Sequence, residues 1–372
     1  MPVGRHRTSI GDRSYGARMH ESPDGLAPDT QPAAPHDPAR RVRALVLLAL
    51  GGLLLLLVVS YAGVGPVLER VQAMGWAGPF LFVPYLIINM LDTMAWRRAL
   101  SPEAAARVPF LAQYFARIAG EAVNSVTPTA AVGGEPVKAQ LLRSAGVPGP
   151  EAVASVVIAK TALTLSQVAF ILIGVPMLAA RFGRPMLGAV CFAALVVVAI
   201  VFARFIVGVQ RRGLVHAAWR RLVRWFPRSR TVARLGERAA AIDERLGDFY
   251  RIEQRAFRTA TLWHFMAWLL GVAEVWLIMQ LIGAPISWTD AFILESLGQP
   301  IRATALIIPG GLGVQELGGT ALCHLLGIAD APAVTLWLLK RARELFYDVV
   351  GIAYLAQQTA LRRAPAAAEP PA

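Results

Sequence analysis

Residues 44–64 read ALVLLALGGLLLLLVVSYAGV, and no charged side chain interrupts them. Roughly 20 such residues in a helix cross a hydrocarbon core about 30 Å thick. In lipid every backbone polar group has to be satisfied internally, so the run reads as a transmembrane helix. Further spans of similar length are read at 78–96, 151–180, 186–209, 259–282 and 333–358, the last with a charged stretch inside it. The fold class that follows is an all-α polytopic membrane protein of about six full transmembrane helices. A composition that is 56% hydrophobic agrees with it.

Charge supplies the orientation. The formal net charge of +13 would suggest nucleic acid in a soluble chain, but its distribution points to a membrane instead, and no nucleic-acid partner is expected. Residues 210–258 hold 13 Arg against five acids and lie between two spans. A basic segment of this kind stays on the cytoplasmic side and is drawn to anionic headgroups. Within it Trp219, Leu222, Val223 and Phe226 recur at helical spacing, as in a helix resting on the membrane surface. Arg40, Arg41 and Arg43 then hold the N-terminal end inside, and Arg362 and Arg363 hold the other. Arg70, Arg181 and Arg184 are the exceptions to the rule. Residues 1–43 and 362–372 are polar or Pro-rich and read as disordered tails, both cytoplasmic.

Two stretches do not fit a lipid-facing helix. Residues 120–142 read GEAVNSVTPTAAVGGEPVKAQLL, and 295–319 read ESLGQPIRATALIIPGGLGVQELGG. Each carries a Glu-led polar stripe, a Pro, a Gly-Gly pair, a second Glu and, further on, a Lys. Pro128, Gly133, Gly134 and Pro136 in the first and Pro309, Gly310, Gly311 and Gly313 in the second read as helix breakers. Irregular backbone at membrane depth is tolerated only inside protein or beside a water-filled cavity. Re-entrant helical hairpins are therefore expected at 109–142 and 289–327. Three full crossings separate them, so the halves 44–209 and 259–361 form an inverted repeat around the 210–258 segment. That is a recurrent plan of secondary transporters, with the substrate site at the repeat interface.

The residue types in these stretches narrow the chemistry. Arg117, Glu121, Asn124 and Ser125 share one helical face through spacings of three and four, and Glu295, Gln299 and Arg302 share another. Two readings stand: Glu and Arg neutralise each other and pin the hairpins, or their opening exposes charge to a headgroup. Arg suits the second, because its planar fork binds phosphate bidentately. Of 37 basic side chains only Lys138, Lys160 and Lys340 are lysines, all in the paired segments. Lys340, Glu344 and Asp348 follow at spacings of four. Glu135 and Glu316 come just after the breaks, where they either cap free N–H groups or meet an amine or a proton. Asn89, Asp92 and Glu274 are further intramembrane polar groups, expected to be paired.

Other chemistries lack their signatures. No strand precedes the glycine runs and no GK[ST] follows, which argues against a nucleotide loop. The six histidines are scattered without HExxH, and Cys191 and Cys323 stand apart in apolar surroundings. No metal, no cofactor and no catalytic residue is assigned.

At NSVTPTAAVGGEPVKAQLL, LIIPGGLGVQELGG and LWLLKRARELFYDVVG the chain resembles flippase-like membrane proteins related to the transmembrane region of lysylphosphatidylglycerol synthase. The last two stretches look most like the HpnL-like branch found beside hopanoid biosynthesis. The resemblance implies a bacterial inner-membrane protein that moves lipids or lipid-linked molecules between leaflets. Its partners would be an anionic phospholipid, a hopanoid or a polyprenyl-linked substrate, together with lipid-synthesis enzymes. In the synthases a soluble transferase domain follows the membrane region; here only a short tail follows the last span, so synthase activity is expected to be absent, and the chain is read as a non-enzyme. The substrate pathway would run along Arg117, Glu121, Asn124, Glu135, Lys138, Lys160, Glu295, Gln299, Arg302, Glu316, Lys340 and Glu344. Two readings compete with it, a membrane-embedded transferase using a polyprenyl-phosphate donor and an accessory scaffold of lipid synthesis.

Overall fold

The computed structural model describes residues 52–53, 56–127, 133–211, 230–304 and 312–363, and among them it is helical with no strand. The start of the first predicted span, the N-terminal tail, residues 364–372 of the C-terminal tail, the aromatic stripe from Trp219 to Phe226, and Pro128, Pro309, Gly310 and Gly311 lie outside the described residues. Residues 56–62 are helical up to Gly63, whose φ of 82° is left-handed and ends the helix. α1 (Val64–Ala73) follows, then a 3₁₀ turn (Gly75–Leu81) that leads into α2 (Phe82–Arg97).

Among the described residues four helical stretches are long and apolar enough to cross a membrane: Gly75–Arg97, α6 (Gly149–Arg181), Pro185–Gln210 of α7 (Pro185–Arg211), and α9 (Gln254–Leu281). They coincide with the predicted spans to within a few residues, because a 20-residue apolar run is a property of composition alone. α12 (Asp330–Arg363) has 34 residues, about 51 Å at 1.5 Å per residue. It is long enough to cross, yet carries Lys340, Arg341, Arg343, Glu344 and Asp348 in its middle.

The polar stretches form two helix pairs. α4 (Phe110–Val126) and α5 (Gly134–Ser144) make the first, α10 (Trp288–Thr304) and α11 (Val314–Leu325) the second. α5 has 11 residues and α11 has 12, roughly 17–18 Å each, too short to cross a core of about 30 Å. α4 ends at Thr127 in extended conformation (φ −109°, ψ 133°), the preference of a residue that precedes proline. Gly134 and Pro136 lie inside the first turn of α5, where a missing N–H costs no helical bond. Gly313 caps α11 with φ 76°, a conformation that a side chain would strain.

Two apolar clusters close the two ends of the bundle. One joins Trp96, Leu100, Leu142, Ile158, Leu246 and Phe249; it includes α3 (Pro102–Arg107) and α8 (Arg230–Ile252). α8 belongs to the basic segment and docks through Phe249 and Tyr250, while Arg245 pairs with Glu253 at 2.7 Å. The other joins Met74, Leu81, Phe170, Ile282, Leu326 and Leu336. Along α2, α6, α9 and α12 the two clusters are separated by polar residues: Asn89 and Asp92 on α2, Lys160 and Gln167 on α6, His264 on α9, Lys340 to Glu344 on α12. The bundle thus has apolar ends and a charged waist.

Candidate functional site

The waist is built where small residues let helices approach. In the first hairpin a Cβ on Gly134 would collide with the carbonyl of Gly120, so the two arms touch backbone to backbone. That approach puts the Gly134 N–H 2.7 Å from Asn124 Oδ1, an N-terminal cap supplied by the opposite arm. It also brings Lys138 Nζ to 2.6 Å from Glu121, with Glu135 at 3.3 Å on its other side. Lys160 of α6 reaches Glu135 at 3.3 Å. Arg117 does not pair with Glu121 on its own face; it donates to Asn89 and Asp92 of α2. The Glu–Arg pair, one of the two readings left open by the spacing, does not form on this face, because Glu121 takes Lys138 and Arg117 takes Asp92.

The second hairpin repeats the plan with the roles redistributed. Trp337 of α12 wedges between the arms, facing Gly298 on α10 and Gly319 on α11, where a Cβ would overlap the indole. One turn further on, Lys340 pairs with Glu295, which also accepts from Gln299 at 3.2 Å. Gln299 in turn accepts from Gln167 of α6 at 3.2 Å. Gly271 on α9 leaves room for the Glu295 carboxylate, which a Cβ there would approach to 3.0 Å. Arg302 pairs with Glu344, and Arg341 bridges Glu316 at 2.8 Å and Glu344 at 3.0 Å. Arg343 pairs with Glu274 and lies 3.9 Å from the centre of the Tyr85 ring, a cation–π contact. Among the described residues the hairpins' Glu and Arg side chains therefore tie each hairpin to its neighbours and do not pin one hairpin to the other.

These groups surround two clefts. The first, of about 340 Å³, holds Arg117, Glu121, Glu135, Lys138 and Lys160. The second, of about 420 Å³, holds Glu295, Gln299, Arg302 and Lys340, together with Glu274 and Arg343. Asp92 lines both. Each cleft sets three carboxylates against three cations, counting Asp92 in each. The structure thus divides the predicted pathway by repeat, whereas the sequence suggested one cavity between the hairpins. Asn124, Glu316 and Glu344 stand behind the clefts as supports: Asn124 caps α5, and the two glutamates hold Arg341 and Arg302.

Asp92, His264, Glu274 and Arg343 belong to the clefts although the pathway drawn from sequence omits them. Asp92 and Glu274 were visible as intramembrane acids, but nothing local identifies a partner 172 residues away, as His264 is from Asp92. Arg343 lies three residues after Lys340, one helical turn along, and that spacing was the available signal.

An all-helical bundle with membrane-length spans agrees with the comparison to known proteins. No curated protein and no solved structure matches the chain. Residues 44–351 match the family described as the lysylphosphatidylglycerol synthase TM region, which ties the chain to membrane lipids. This multi-pass membrane protein belongs to the lysylphosphatidylglycerol synthase TM region family.

Proposed function

We propose that this chain is a transporter, not an enzyme, and moves a lipid or lipid-linked headgroup between the leaflets of a bacterial inner membrane. The observation that carries the reading is the pair of charge-balanced clefts at the waist of a bundle with apolar ends. A charged group at the bilayer centre costs about 2.5–3.5 kcal/mol on insertion scales, and the clefts hold several per repeat. Paired internally, such groups are neutral at rest. A headgroup phosphate takes the place of a carboxylate on Arg or Lys, so a polar head can be received without stranding a charge. Apolar tails would remain in lipid along faces such as α7, where Val190, Val197, Val201 and Phe205 are exposed. Candidate headgroups are those of an anionic phospholipid, a hopanoid of the HpnL-like branch, or a polyprenyl-linked sugar. Lipid-synthesis enzymes are the natural partners of each.

The test is leaflet exchange in proteoliposomes with headgroup-labelled lipids and an impermeant quencher. Purified wild type is expected to expose label beyond the outer-leaflet fraction for at least one lipid. Lys160→Ala is expected to slow that exchange roughly tenfold, the size of one lost charge-assisted contact of about 1.4 kcal/mol. Lys160 is the informative position because it is half-exposed and its loss leaves the buried pairs intact. No exchange for any lipid, with insertion verified, would return weight to the transferase and scaffold readings.

The proposed topology has its own check. Ile282 and Leu326 belong to one apolar cluster, so the turns at Gly283 and Ala329 lie at the same end of the bundle. Gly283→Cys and Ala329→Cys are both expected to react with an impermeant maleimide added outside whole cells. Labelling of only one would mean that the second hairpin crosses the membrane, and the inverted repeat would be lost.

A further inference from the structure

The partition between the two clefts is a buried carboxylate–imidazole pair. Asp92 and His264 are 5% and 3% exposed, and His264 Nδ1 lies 2.6 Å from Asp92 Oδ1. At that distance Nδ1 carries a proton and donates it, which leaves Nε2 as the site that gains or loses one. Nε2 is buried with no hydrogen-bond partner among the described residues. His264 lines the first cleft, and Asp92 lines both. The other oxygen of Asp92 is held by Arg117, the one arginine of the first hairpin that faces a cleft.

The carboxylates that face the pair from the two clefts are each held by a cation. On the side of the first cleft stand Arg117 and Glu121 from α4, Glu135 and Lys138 from α5, and Lys160 from α6. Within this set Glu121 is held by Lys138, and Glu135 by Lys138 and Lys160. On the side of the second stand Tyr85 from α2, Glu274 from α9, Glu295 and Arg302 from α10, and Lys340 and Arg343 from α12. There the two glutamates are held by Arg343 and Lys340. Imidazole is the side chain whose ordinary titration falls between about pH 5 and 8. The other described histidine, His324, lies outside both clefts and pairs with Asp330.

We propose that His264 is a proton-binding site that couples proton uptake to the availability of Arg117, and so makes headgroup passage proton-linked. The proposal rests on the transport reading above. A hydronium ion in the water of the first cleft gives its proton to the Nε2 lone pair; one O–H bond breaks, the N–H bond forms and a water molecule is left. Asp92, one negative charge, then faces two cations. The gain at His264 weakens the hold on Arg117, whose guanidinium turns to the cleft and meets a headgroup phosphate. Loss of the proton restores the Arg117–Asp92 pair and ejects the phosphate. Asp92, shared by both clefts, transmits the change from one repeat to the other.

The experiment measures exchange of headgroup-labelled phosphatidylglycerol in vesicles of phosphatidylethanolamine and phosphatidylglycerol, from about pH 5.5 to 8.5. Wild type and His324→Gln are expected to share one inflection, a change of roughly 3–10-fold in rate, while His264→Gln gives a flat profile. Retention of the inflection in His264→Gln, or a flat profile in an exchanging wild type, overturns the proposal. In parallel, imidazole-¹⁵N-labelled wild type and His264→Gln are compared by NMR over the same range. A resonance that titrates in wild type and is missing from the variant supports proton binding; a His264 resonance that stays fixed overturns it. If phosphatidylglycerol is not exchanged at any pH, the transport reading fails for that lipid, and the NMR titration still decides whether His264 binds a proton. Should His264→Gln not fold, His264→Asn replaces it, and the wild-type titration stands on its own.

Discussion

Glu274→Ala is expected to cost about 3–5 kcal/mol of stability, the usual penalty for leaving one partner of a buried ion pair uncompensated. Glu274 is 1% and Arg343 4% exposed. The Arg343 guanidinium would keep its contact with the Tyr85 ring and a more distant carboxylate, Glu344, at 3.6 Å. Its Nε already lacks a partner among the described residues. The measurement is the midpoint of thermal unfolding in detergent, read by size exclusion after heating. A second variant isolates the cause: Glu274→Leu with Arg343→Met removes both charges, and recovers most of the loss if electrostatics is responsible. If the single variant unfolds at the wild-type temperature, the pair does not hold α9 to α12.

Gly134→Val is expected to separate the arms of the first hairpin. A Cβ there would overlap the Gly120 carbonyl and stand 3.0 Å from Asn124 Cγ. Backbone cannot give way as a flexible side chain does, so α5 has to move off α4. The Lys138–Glu121 pair at 2.6 Å and the Asn124 cap at 2.7 Å depend on that approach and are lost with it. Overpacking costs about 1–3 kcal/mol and each lost contact to a charged group about as much again. The expected result is a protein that inserts but melts early and exchanges no lipid. Gly247→Ala serves as a handling control inside α8, where the backbone is helical and a Cβ meets nothing within 4 Å. Wild-type unfolding of Gly134→Val would show that the arms are not in contact in the membrane.

Much of this architecture can be read from local pattern. The spans at 151–180, 186–209 and 259–282 agree with α6, α7 and α9 because apolar length is a sum over neighbours in sequence. The Glu295 and Gln299 face is legible for the same reason, since a spacing of four fixes a shared side of a helix. Pairing across helices has no such local trace. Arg117 lies four residues from Glu121, yet its partners are Asn89 and Asp92, and Glu121 turns to Lys138. His264 gave no signal in the sequence, as a lone imidazole in an apolar helix is indistinguishable from a core residue until Asp92 is seen beside it. The glycines were read as breakers; the close approach at Gly134 depends on an opposing helix that periodicity does not reveal.

Several cations of the waist touch two acids at once. Lys138 lies between Glu121 and Glu135, Arg341 between Glu316 and Glu344, and Arg343 between Glu274 and Glu344. Glu135 likewise serves both Lys138 and Lys160. A network with such redundancy rearranges by handing a contact along, as climbers on one rope release a hold only after gripping the next. No step of such a rearrangement strands a bare ion in hydrocarbon, and the barrier is set by the distance between neighbouring holds instead of by the solvation of a lone charge.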